Sequence, residues 1–108
     1  MTIDFYRRIK GSQTRNYLNQ QVTLVGKVDL VTDQKIVLDC GDSKISVNNL
    51  NTSLPFVKID DFIEVRGEPI SENLFLLQDL GVLNLDFNLI SYNKSLDLMI
   101  KHYDEYNN

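Results

Sequence analysis

Three features of this sequence are of the types that do covalent or metal chemistry: one cysteine, one histidine and one pair of adjacent aspartates. Cys40 stands between the apolar run Ile36–Val37–Leu38 and a Gly41–Asp42 turn, the setting of a half-buried filler rather than a nucleophile. As the only cysteine it cannot form an internal disulfide, which suits a reducing compartment, cytosol or nucleus. His102 falls on the polar side of the C-terminal segment, with only the distant Cys40 for company. A metal needs three or four suitable ligands, so His102 reads as a surface residue and no metal or cofactor is expected. Asp60 and Asp61 are adjacent at a strand start and point apart, so they read as a solvated turn. Phosphate-binding glycine loops, nucleophile elbows and His-Glu zinc patterns do not occur. The chain reads as a non-enzyme.

The second chemistry to weigh is electrostatic. The net charge is −4, and it is unevenly spread. Residues 1–20 hold Arg7, Arg8, Lys10 and Arg15 against Asp4, while the rest of the chain holds seven basic and fourteen acidic side chains. Autonomous nucleic-acid binding favours a net basic surface, because neutralising phosphates drives the affinity. Single-strand grooves also stack bases on exposed aromatics, and residues 21–49 contain no aromatic side chain. Direct contacts are therefore expected to be weak and confined to Arg7, Arg8, Lys10, Lys27 and Lys35. The rival expectation is an autonomous, salt-sensitive binder that uses the basic N-terminal arm.

These groups must be positioned by a mostly β chain of 108 residues, the size of one domain. Residues 1–20 read as an arm, with a short helix near Thr14–Asn19. From Gln21 the apolar pattern takes period two: Val22, Leu24, Gly26, Val28 and Leu30 alternate with Thr23, Val25, Lys27 and Asp29. Ile36–Leu38 and Ile45–Val47 form two further short strands. Pro55–Asp60 reads as a short helical turn. Phe62–Ile70 alternates again, and Leu74–Leu85 is a fifth apolar run. Gly26 and Gly67 fall mid-strand, as bends at barrel corners require. Five strands of this spacing predict an all-β, five-stranded OB-fold barrel over residues 21–87; a sandwich or SH3-like barrel is the rival. No apolar run approaches the length of a membrane span, and no membrane role is expected. Met1–Phe5 lacks the pattern of a signal peptide.

Asn88 to Tyr106 has a different period. Leu89, Tyr92, Leu96, Met99, Tyr103 and Tyr106 follow a 3,4,3,4,3 spacing, and with Ile100 they fill one stripe roughly 120° wide. Ile90 and Leu98 lie off it. Asn88 stands as the N-cap of a long C-terminal helix over residues 88–106. The stripe either closes over the chain's own barrel or docks on other chains. Its length of about five turns, after an already complete set of strands, favours a partner.

Two stretches carry a family resemblance. Arg8–Ile9, Tyr17–Leu18, Val22 and Leu24–Val25–Gly26–Lys27 resemble, in order and spacing, the run from N-terminal arm to glycine-kinked first strand in the 14-kDa-class small subunit of replication protein A. Phe87–Asn88–Leu89–Ile90–Ser91–Tyr92–Asn93, followed by Leu96–Asp97–Leu98–Met99–Ile100, is similar to that family's F-[DN]-L-x-x-Y-N approach to its C-terminal helix. Ile63–Glu64–Val65–Arg66–Gly67 resembles its fourth strand. The resemblance implies an OB-fold with one C-terminal helix, packed with helices of the middle and large OB-fold subunits of a heterotrimer that binds single-stranded DNA in the nucleus. Leu89, Tyr92, Leu96, Met99, Ile100 and Tyr103 would be the partner contacts, and DNA binding would be mostly indirect. The polar tail Asp104–Asn108 lacks the family's proline-aromatic ending. That leaves open a telomere- or telomerase-associated paralogue, such as the smallest CST subunit.

Overall fold

The structure, a computed structural model, describes residues 7–48, 57–83 and 87–107, with side chains of the last stretch described as far as Leu98. The elements are β1 (Arg7–Arg8), a 3-10 turn (Gly11–Asn16), β2 (Val22–Val31), β3 (Lys35–Asp39), β4 (Lys44–Asn48), β5 (Phe62–Ser71), β6 (Leu74–Val82) and α1 (Leu89–Asn107).

The sheet order is β1-β2-β3-β4-β6-β5, and β2 also pairs with β5, so strands β2 to β6 close on themselves. Closure excludes the sandwich. Strands β4 and β6 run parallel and β5 returns antiparallel to both β6 and β2, the Greek-key closure of an OB-fold. The alternation that predicted the strands also sorts the core. Val22, Leu24, Val28, Ile36, Leu38, Ile45, Val47, Ile63, Val65 and Phe75 all point inward and are buried.

The two mid-strand glycines sit where strands crowd. β2 pairs with β5 through Lys27 and with β3 from Lys27 onward, so it serves two neighbours across a bend at Gly26. A Cβ there would lie 2.6 Å from the Asp39 carbonyl oxygen. At Gly67 the register with β6 slips by one residue, and a Cβ would lie 2.0 Å from the Leu76 carbonyl oxygen. Neither site can hold a side chain without moving backbone.

Four expectations change. The arm expected over residues 1–20 is, in its described part, built into the barrel. β1 pairs in parallel with β2, the Ile9 amide donates to the Thr23 carbonyl, and the Ile9 side chain enters the core. The helix expected near Thr14–Asn19 is a 3-10 turn beginning at Gly11. Buried Thr14 donates to the Gly11 and Glu72 carbonyls, which ties this turn to the β5–β6 turn. Thr23 and Val25 are buried although their positions face outward, because β1 and α1 both lie against β2. Of the helical turn expected over Pro55–Asp60, residues 59–60 form a turn, closed by the Asp61 amide donating to the Lys58 carbonyl, rather than a helix. There Asp61 accepts from the Lys58 amide, and Asp60 takes φ 75°. Pro55 and Phe56 lie outside the described residues.

Candidate partner and nucleic-acid surfaces

Two outward surfaces bear on function. The first is the face of β3, β4 and β6, where OB-folds hold nucleic acid. Cross-strand register builds it in rows. Leu30 stands opposite Val37, Val37 opposite Ser46, and Ser46 opposite Leu74. In the next row Lys35 stands opposite Asn48, Asn48 opposite Leu76, and Leu76 opposite Glu68. The centre is therefore aliphatic and amide, with no ring on which a base could stack. Lys44, exposed, is paired with Asp29 at 2.9 Å, a bond that raises its pKa. Lys27 is paired with Asp60 at 3.4 Å. Lys35 is exposed and, among the described residues, makes no side-chain bond.

The second surface joins the N-terminal segment, β2 and β5 to the first half of α1. Asn88 caps the helix, its side chain accepting from the Ser91 amide at 3.0 Å. Leu96 is 2% exposed. Asn93 Nδ2 donates to the Cys40 carbonyl at 3.0 Å, and Leu89 lies beside Gly41. Phe62, Phe87 and Tyr92 form a chain of tilted rings with centroids 5.5 Å apart at each step. This first half of the helix therefore has an intramolecular mate. Leu89, Tyr92 and Leu96, expected at a partner interface, all lie on the side that meets the barrel. Leu89 meets the β3–β4 turn and α1 lies against β2, which strand counting alone does not reveal. Exposure falls instead on Ile90 at 70% and Leu98 at 62%, the two residues off the stripe. The side chains of Met99, Ile100, His102 and Tyr103 lie outside the described residues.

The N-terminal cations expected to meet DNA are engaged within the chain. The Arg7 guanidinium lies 5.2 Å over the Tyr17 ring. Arg8 Nη1 donates to Tyr92 Oη at 3.3 Å, and Nη2 donates to Glu64 at 3.4 Å. The Tyr92 bond is the main cause of the raised Arg8 pKa. Lys10 Nζ lies 3.1 Å from Asp97 and 3.8 Å from Asp42. Beside them Arg66 bridges Glu64 and Asp79, raising the guanidinium pKa and lowering that of the Asp79 carboxyl. Sequence reasoning missed the pairings of Arg8 and Lys10 with the helix because the partners are more than 80 residues apart.

Among the described residues there is no group of three or more His, Cys, Asp or Glu side chains that could hold a metal. The Cys40 thiol is 2% exposed and its pKa is pushed up to about 12 by burial, with Asp42 and Asp39 adding to it. It stays protonated at neutral pH, and a protonated buried thiol is not a nucleophile.

Neither a protein-family model nor a curated protein sequence matches the chain. Solved structures do. A chain of Ustilago maydis replication protein A bound to single-stranded DNA matches over 95% of this chain and 96% of its own, with TM-score 0.77 and 19% identity. The telomere capping protein Ten1 of S. pombe matches over 90% of this chain and 99% of its own, with TM-score 0.76 and 17% identity. A chain of the S. pombe Stn1–Ten1 complex matches over 91% and 94%, with TM-score 0.76 and 18% identity. At these identities the likeness establishes the OB-fold with its C-terminal helix.

Proposed function

We propose that this chain is the small, non-catalytic assembly subunit of a heteromeric complex that binds single-stranded DNA, of the replication protein A type and acting in the nucleus. One observation carries the reading. Similarity to a chain of DNA-bound replication protein A runs almost end to end, over 95% of one chain and 96% of the other. The surface chemistry agrees. Among the described residues the β3–β4–β6 face lacks stacking rings, and Arg7, Arg8 and Lys10 are engaged within the chain, so DNA affinity is assigned to larger OB-fold subunits. The matches to Ten1 and to the Stn1–Ten1 complex favour a second reading, the corresponding subunit of a telomere-capping complex.

Partner docking is assigned to α1, on the face that the barrel leaves bare. Ile90 and Leu98 supply it, while Met99, Ile100 and Tyr103 continue by spacing the stripe of Leu89, Tyr92 and Leu96 and are proposed as further partner contacts from that other side. Burying one such side chain at an interface contributes about 1.5–3 kcal/mol. The double variant Ile90→Glu/Leu98→Glu should therefore lose its OB-fold partners in purification from native cells, while the circular dichroism of the isolated chain stays unchanged. Retention of those partners would refute this assignment of the docking face. The identity of the co-purifying subunits separates the replication from the telomere reading.

A further inference from the structure

Arg8, Ile9 and Lys10 follow the two-residue alternation of an extended chain. Ile9 is 1% exposed and belongs to the barrel core. Its neighbours on either side therefore emerge together on the opposite side, toward α1. Arg8 reaches Tyr92 and Lys10 reaches Asp97. The dimensions of the two elements agree. Two residues of extended chain span about 6.6 Å, and the five-residue step from Tyr92 to Asp97 rises about 7.5 Å along a helix axis.

The angular positions matter more. Five residues turn a helix through about 500°, which places Tyr92 and Asp97 about 140° apart around the axis. Asn93 and Leu96 lie between them in angle, on the side that meets the barrel. The two cations thus grip the helix on opposite flanks of its buried line. A single grip would leave the helix free to roll, whereas two on opposite flanks fix its rotation. Rotation decides which residues face outward, here Ile90 and Leu98.

We infer that Arg8 and Lys10 are positioning residues, a charged clasp that fixes the roll of α1 on the barrel and so determines which helix face is offered to a partner. The groups are partly solvated, since the Asp97 side chain is 59% exposed, so the clasp loosens as salt rises. The purpose given to the clasp rests on the assembly reading. The clasp itself is tested on the chain alone, so failure of one is told from failure of the other.

The test compares full-length wild type, Lys10→Glu, Asp97→Lys and the double swap by NMR. Residual dipolar couplings of residues 89–98 are referred to the frame of the barrel amides. Each single variant should change the helix couplings and raise α1 amide exchange about two- to fivefold, the scale of one exposed ion pair. Barrel couplings should stay fixed. The double swap should bring both readouts back to wild type. A merely stabilising pair would change exchange without reorienting the helix. Unchanged helix couplings in both single variants would overturn the clasp, as would a double swap showing the sum of the two defects. If a single variant loses its barrel spectrum, wild type in about 1 M NaCl decides the matter, because screening at that strength acts within about 3 Å. Movement of the α1 couplings on adding salt supports the clasp, and fixed couplings refute it.

Discussion

The barrel has two outward faces of opposite character. On the β2–β5 side α1 lies against β2, rings pack in series, and Arg8, Lys10 and Arg66 are all paired. On the β3–β4–β6 side, where OB-folds take their ligand, the surface is aliphatic, with Leu30 at 43% exposure and Lys35, among the described residues, without a side-chain bond. The face that OB-folds customarily use is thus plain here, and the paired charges and packed rings lie on the side that holds the helix. Fold and function are separable, so each face must be argued from its own side chains.

The sharpest way to break this contrast is to compare two leucines one residue-pair apart on α1. Leu96→Ala should destabilise the chain by about 2–5 kcal/mol in urea unfolding, because a buried side chain leaves a cavity. Leu98→Ala should fall within about 0.5 kcal/mol of wild type. Equal costs would mean that the helix does not present these two faces as described.

A smaller effect comes from Cys40, beside the helix contact. Its folded pKa of about 12 lies above the ordinary thiol value of 9.0, so between the two the native state holds a proton that the unfolded state has released. The resulting stability is fully present below about pH 9 and is lost as pH rises toward 12, at about 1.4 kcal/mol per pH unit at most. Urea midpoints measured across that window should fall more steeply for wild type than for Cys40→Ala. Parallel curves would show a solvated thiol. The smallest effect is expected on the bare face. Lys35→Ala should leave both stability and oligonucleotide affinity of the isolated chain within error, measured by fluorescence anisotropy at low salt. A clear loss of affinity would return that face to nucleic-acid binding.

Much of the barrel was legible because period two is a strong signal. The alternation of Phe62–Ile70 set Ile63 and Val65 on one face, β3 and β4 were marked as short apolar runs, and Gly26 and Gly67 marked corners where only glycine fits. The N-terminal segment was not legible, because Ile9 is a single apolar residue among polar ones and its pairing with β2 depends on a contact distant in sequence. The helix was legible as a helix but not in its orientation. Periodicity finds the apolar stripe, yet it cannot say whether that stripe meets its own barrel or another chain. Leu96 is buried within its own chain, and the exposed apolar residues of the described helix are Ile90 and Leu98, which the stripe excluded. The partners of Arg8 and Lys10 were not legible, because composition reports charge and is silent about the carboxylates and hydroxyls that will meet it.

The seam between β2 and β5 also governs how the chain must fold. Its nearest pair, Lys27 with Phe62, joins residues 35 apart, and its farthest, Val22 with Gly67, joins residues 45 apart. The β3–β4 and β5–β6 hairpins can form by local search, but the ring cannot close until this distant seam does, with the loop entropy that implies. Side chains on the seam, Leu24 and Val65 above all, are therefore the ones whose truncation slows folding, whereas truncations on α1, which docks onto the finished seam, show themselves in the unfolding rate.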